Sequence, residues 1–313
     1  MEITVAQPAW LEELAELVAV QQADPHRHIG YLGDDATSIA ADLRRLEPAG
    51  LDGVVIARVA QRPVGVLGAE YDREPPRVWW HGPFVRRVAD PAGVADRLYT
   101  AACDRLPAHV REEELAPDDR NELVADFARR HGFVAEEASA VLTRPLEPGQ
   151  AAALTQHPEV SIAPLGRGHR REVAELHEAT FPGTHTVSDR LDLGAKRRVL
   201  VATVAGHDTV CGYVAVEVQA DRAGYIDYLA VSEQHRGRGV GGVLVSAACA
   251  SLAEAGCGSA ALTVRESNHA ARALYWRLGF REVRLLRPWR RGFQLRPPVT
   301  AGGPETPAEP AGR

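Results

Sequence analysis

The stretch Leu229–Gly242, reading LAVSEQHRGRGVGG, decides how this chain is read. An apolar run, Tyr225 to Tyr228, precedes it and reads as a buried strand. Val243 to Ala250 follows and reads as a buried helix ending near Gly256. Gln234 to Gly241 is therefore a strand-to-helix loop dense in glycine and arginine. Such a loop turns several backbone N–H groups toward one point at a helix N-terminus, where the dipole favours an anion. Gly237, Gly239 and Gly241 permit close approach and positive φ, while Arg236 and Arg238 add charge. The group implied is a phosphate or pyrophosphate.

A nucleoside-triphosphate loop would end in Gly-Lys-Ser or Gly-Lys-Thr, and this loop does not. A dinucleotide loop needs Gly-x-Gly-x-x-Gly and an acidic residue about 20 positions on, at the end of the next strand. Here the glycines alternate as Gly-x-Gly-x-Gly, and the next strand, Ala260 to Val264, ends in Arg265. The segment Arg236 to Gly241 instead resembles the Gln/Arg-x-x-Gly-x-Gly/Ala pyrophosphate loop of the GNAT superfamily of N-acetyltransferases. Leu229-Ala230-Val231 before it also resembles that family, as does the downstream run from Asn268 through Tyr275 to Gly279 and Phe280.

The 313 residues suffice for two domains of ordinary size. Hydrophobic content of 45% and charged content of 25% are those of a soluble globular protein. A net charge of −6 gives no support to nucleic-acid or membrane-surface partners. Cys103, Cys211, Cys249 and Cys257 lie in apolar or helical contexts without metal-ligand spacing and read as free thiols. The acidic N-terminus lacks a signal-peptide core, and no apolar run reaches the roughly 20 residues of a membrane span. The expected location is cytoplasmic, and no metal is expected.

The chain carries its pattern twice. Asn121 to Gly132-Phe133 has the spacing of Asn268 to Gly279-Phe280, and Pro83-Phe84-Val85 lies on Leu229-Ala230-Val231. Eight positions after each valine stands a glycine, Gly93 or Gly239. The organisation expected is a first domain over 1–145, a Pro- and Ala-rich linker over 146–158, a second domain over 159–292 and a disordered tail over 293–313. Phe133 to Thr143 and Phe280 to Trp289 read as the strands that close the two halves. The resemblance implies two tandem mixed α+β acyl-CoA N-acyltransferase folds, each a central mixed sheet flanked by helices. The first copy departs at the loop: Asp90 replaces Arg236, Pro91 replaces Gly237, and Ala128 stands where Tyr275 stands. It is expected to keep the fold and lose coenzyme A.

The resemblance also implies roles. The pantetheine arm of acetyl-CoA would lie along Leu229, Ala230 and Val231. Its pyrophosphate would take the N–H groups of Arg236, Gly237, Arg238, Gly239, Val240 and Gly241. Asn268 would contact the arm, and Tyr275 would protonate the leaving thiolate. Asn268 and Tyr275 are seven apart and share one helix face. Asn268 also reads as a plain N-cap, and Tyr275 as a core aromatic beside Leu274 and Leu278. Asp227 is the candidate base, with Glu217 as the other. Strand alternation puts Asp227 on the side of Leu229 and Val231. His26, His28 and His185 fall in loops where the family binds acceptors. The function implied is acetyl transfer from acetyl-CoA to an amine on a small molecule or peptide, by a monomer or homodimer. The alternative is a non-catalytic acyl-CoA-binding regulatory module.

Overall fold

The computed structural model describes residues 1–147, 157–182, 184, 191–192, 196–204, 206–219 and 222–292. The expected tail, His185 and most of the linker lie outside the described residues. The first half contains β1 (Glu2–Val5), α1 (Leu11–Gln22), α2 (Ala36–Arg45), β2 (Val54–Val59), β3 (Arg62–Tyr71), β4 (Arg77–Val85), α3 (Pro91–Cys103), β5 (Glu112–Leu115), α4 (Glu122–Arg130), β6 (Val134–Ala135) and β7 (Ser139–Pro145). The second contains β8 (Val160–Pro164), α5 (Arg170–Thr180), β9 (Arg197–Val204), β10 (Val210–Val218), β11 (Gly224–Val231), α6 (Val240–Glu254), β12 (Ser259–Arg265), α7 (His269–Arg277), β13 (Arg281–Leu286) and β14 (Trp289–Gly292).

Two mixed sheets of seven strands form, ordered β1-β2-β3-β4-β5-β14-β6 and β13-β7-β12-β11-β10-β9-β8. Each run expected to close its own half breaks in two. The second piece of each run then crosses to the other sheet: β7 inserts between β12 and β13, and β14 between β5 and β6. The halves have exchanged their last strands.

Side-chain chemistry explains which strand goes where. β5 reads EEEL, and β14 brings Arg290 and Arg291 opposite Glu114 and Glu113. Glu113 is fully buried and accepts from Arg291 Nε (2.7 Å), Trp80 Nε1 (2.9 Å) and the Tyr99 hydroxyl (2.5 Å). Glu114 accepts from Arg290 Nε (2.8 Å) and Arg77 Nη1 (3.1 Å). β7 instead carries Ala140 and Leu142 into the apolar cluster that holds Ala260, Leu262 and Val264 of β12. A buried carboxylate needs paired donors, so β5 accepts the arginine strand.

The duplication repeats at the level of contacts. A Cβ on Gly65 would stand 3.0 Å from Leu98 Cδ1 and 3.3 Å from the Phe84 carbonyl oxygen. On Gly212 it would meet the equivalent pair, Leu244 Cδ1 at 3.0 Å and the Ala230 carbonyl at 2.7 Å. Each glycine lets the following helix sit close on its sheet. Asn121 and Asn268 cap α4 and α7 alike, accepting from Val124 N and Ala271 N. Both helices end at a left-handed glycine, Gly132 (φ 75°) and Gly279 (φ 88°).

Candidate functional site

β11 pairs with β12 in parallel only from Gly224 to Ile226. Beyond that the two strands part. At the same place the pairing with β10 slips: Val216 faces Ile226 but Ala215 faces Tyr228, leaving Asp227 as a bulge. Ser232 N–H donates to the Cys211 carbonyl (3.0 Å). Antiparallel alternation then turns the main chain of Ala230 toward β10 and that of Leu229 and Val231 away from it, into the opening. Arg236 confirms the direction, since its Nε donates to the Val231 carbonyl (3.1 Å). Two of the three residues expected to line the arm thus offer main-chain groups there, and Ala230 spends its own on the sheet.

The loop behind this edge has Gly237 at φ 74° and Gly239 at φ 89°, conformations that side chains rarely adopt. Gly241 serves packing instead: a Cβ there would stand 3.3 Å from Leu274 Cδ2. α6 starts at Val240 with no side-chain cap and no acidic residue in its first turn. None of the N–H groups of Gly237, Arg238, Gly239, Val240 and Gly241 has an acceptor among the described residues. Orphan donors at a helix start, next to left-handed glycines, form a concavity for an anion. His157, from the end of the linker, lies against this loop and contacts the Arg238 carbonyl (2.9 Å).

Tyr275 is buried in the cluster that also gathers Val240, Leu244, Leu229 and Val231, and its ring meets Phe280 edge-on at 5.7 Å. Burial pushes its hydroxyl up to about 12. Asn268 forms the N-cap of α7, with its side chain accepting from Ala271 N at 3.1 Å.

The opposite face of the sheet holds a different set. Tyr228 and Ala230 pack there with Val173, Tyr213 and Val199, whereas Ile226, Leu229 and Val231 pack with α6. The bulge therefore reverses the parity of the strand. Asp227 does not share the face of Leu229 and Val231, which corrects the alternation argument. It binds Arg197 on that opposite face, and Arg197 Nε also bonds Glu217 (2.9 Å). Burial opposes the charge on Arg197, but Asp227 and Glu217 more than compensate and its pKa is raised. Both candidate bases are thus shared with one guanidinium, a residue that single-sequence reading had no signal to select. Next to them His177 is buried, with Nδ1 2.5 Å from the Tyr213 hydroxyl and its ring against Tyr228.

The first half has the same frame with the opening shut. β4 pairs with β5 only from Arg77 to Trp79, and then the strands part. Segment 27–30 fills the gap: Arg27 Nη1 donates to the Val85 carbonyl (3.0 Å), and Gly30 N–H to the Ala116 carbonyl (2.7 Å). Asn121 Nδ2 holds this wedge through the His28 carbonyl (3.1 Å). α3 begins at Pro91, three equivalent positions before α6, and the Asp90 carboxylate accepts from Gly93 N–H at 2.8 Å. His28 is buried rather than solvated, and burial, helped by Arg284, lowers its pKa to about 4. His26 contacts the Arg120 carbonyl (3.2 Å).

Comparison with known proteins places this frame. Residues 170–280 match the model of the acetyltransferase (GNAT) family. A 57-residue stretch is 46% identical to the N-alpha-acetyltransferase MAK3 of Arabidopsis thaliana, over 18% of this chain. The match spans 30% of the length of that relative. The fold is similar to that of a GCN5-related N-acetyltransferase from Sphaerobacter thermophilus, with TM-score 0.73, 18% identity and coverage of 93% and 95% of the two chains. It is also similar to a tandem GNAT protein from the clavulanic acid biosynthesis pathway, with TM-score 0.67, 16% identity and coverage of 93% and 98%. The GNAT match thus lies within the second half, and over the chain as a whole the fold is similar to that of a tandem GNAT protein.

Proposed function

We propose that the second half binds acetyl-CoA and transfers its acetyl group to a primary amine, with the first half as a partner that binds no coenzyme. The observation that supports this reading best is the row of orphan N–H donors from Gly237 to Gly241 beside the open edge of Leu229 and Val231. The loop would hold the pyrophosphate, and the edge would hold the pantetheine amides as one more strand. Asn268 would add a polar contact at the start of α7. The acceptor amine would approach from the other face, where Asp227, Glu217 and Arg197 lie, and meet the thioester through the opening past Ile226. Asp227 and Glu217 would draw the proton from the ammonium, directly or through water, while Arg197 fixes their geometry. Tyr275, with its pKa pushed up to about 12, stays protonated across the working range and would donate to the thiolate as the carbon–sulfur bond breaks. The free thiols of Cys103, Cys211 and Cys249 fit a reducing, cytoplasmic setting.

Thiol release by the intact chain, measured against a panel of amines, amino acids, aminoglycosides and peptides, tests the reading. With a working acceptor, Tyr275→Phe should lower kcat by about 10²–10⁴-fold and leave coenzyme affinity and melting nearly unchanged. A normal kcat in that variant would strip Tyr275 of the acid role. Coenzyme binding by the wild type without turnover on any acceptor would favour the regulatory module.

A further inference from the structure

Among the described residues, the end of the segment joining the halves touches the second half's loop at His157. His157 Nε2 lies 2.9 Å from the Arg238 carbonyl, and Glu159 N–H donates to His157 Nδ1 at 3.2 Å. Nδ1 is the acceptor, so in the neutral ring Nε2 carries the hydrogen and donates to Arg238. The ring also covers the loop's turning point. A Cβ on Gly239 would stand 3.4 Å from Nε2 and 3.6 Å from Cδ2.

A trans peptide points its C=O and its N–H in opposite directions. Holding the Arg238 carbonyl toward His157 therefore aims the Gly239 N–H to the opposite side. This peptide precedes a glycine and so has room to rotate. A flip changes ψ of Arg238 and φ of Gly239, and glycine tolerates either sign of φ. A flipped peptide would present a carbonyl oxygen where the row of donors now stands, and an anion would be repelled.

We propose that His157 is a positioning residue for coenzyme binding: it locks the Arg238–Gly239 peptide so that the Gly239 N–H faces the pyrophosphate. The proposal rests on the coenzyme reading of the loop. It gives the connecting segment a task in the site, which neither the family motif nor the linker's composition would suggest.

Two substitutions separate the bonds His157 makes. Asn at this position can accept from Glu159 N–H but is too short to reach Arg238, and Gln can place a donor near Nε2. Calorimetry with coenzyme A on the full chain should find His157→Asn weaker by about tenfold, the loss of one hydrogen-bonded restraint on an anion contact. His157→Gln should bind within about twofold of wild type, well inside the net worth of a single hydrogen bond. Turnover of acetyl-pantetheine, which has no pyrophosphate, should be the same in all three chains, with equal melting temperatures as the control. Wild-type affinity in His157→Asn overturns the proposal and leaves the loop reading standing. An equal loss with acetyl-pantetheine also overturns it, because the effect would then be structural. If the asparagine chain fails to fold, weak coenzyme binding by a folded His157→Gln is the overturning result, and wild-type-like binding the supporting one. A wild-type chain without affinity for coenzyme A removes the loop reading itself, and this proposal with it.

Discussion

In the second half α6 begins at Val240, behind a loop with two left-handed glycines; in the first, α3 begins at Pro91, three equivalent positions earlier. The same chain positions are an open set of donors in one copy and a finished helical turn in the other. Asp90 supplies the cap that a ligand would supply, and Pro91 has no N–H to offer. The strand opening differs in the same sense. It leads past Leu229 and Val231 in one copy and is plugged by residues 27–30 in the other. The comparison teaches that an opening of this kind can be filled without disturbing the fold around it, by groups from within the chain.

The exchange of closing strands gives the largest expected effect. A fragment of residues 148–292 lacks β7, the strand between β12 and β13, and a fragment of residues 1–147 lacks β14. Each alone should show no cooperative melt by circular dichroism, and mixing the two should restore the transition. Independent folding of the second fragment would break the idea that the halves depend on each other.

The next effect separates how the two strands are held. Arg291→Ala leaves the Glu113 carboxylate buried without its cation, which should cost about 3–5 kcal/mol in urea unfolding. Single alanines on the apolar β7 leave no such charge behind. A loss under about 1 kcal/mol for Arg291→Ala would show that the charges do not anchor β14.

His28, in the first half, gives a smaller effect. Folded, it stays neutral down to about 4, whereas in the unfolded chain it takes a proton below its ordinary 6.5. The unfolded state thus binds more protons between these values, so stability is full above 6.5 and falls as pH drops toward 4. The loss should be on the order of 3 kcal/mol across that window and should be absent in His28→Gln. Parallel pH profiles of the two chains would mean that His28 protonates freely in the fold.

The smallest expected effect is none. Restoring the loop chemistry of the first half with Asp90→Arg and Pro91→Gly should still leave one coenzyme A site per chain by calorimetry, because residues 27–30 continue to fill the opening. A second site would show that the helix cap alone excluded the ligand.

Much of this was legible in residues. The spacing from Asn121 to Phe133 and from Asn268 to Phe280 announced the duplication, because an N-cap and a left-handed glycine fix both ends of a helix. The loop was legible because Gly237 and Gly239 stand where φ must be positive. The bulge at Asp227 was not, since a slip of register is decided by the partner strand and leaves no mark on alternation. The strand exchange was hidden for a related reason. β7 and β14 follow their own halves in sequence, and only the match of EEEL with Arg290 and Arg291 says which sheet each completes. His157 was invisible as well: its role depends on one carbonyl that lies 81 positions further along the chain.

Strand exchange also governs the moment at which this protein becomes a protein. While it is being translated, the first sheet stands open between β5 and β6, and it cannot close until residues 289–292 have left the ribosome. Glu113 and Glu114 wait that long for two of their cations. A message broken before that point delivers no completed first sheet to the cell. The first sheet is finished only by a strand made after nearly all of the second.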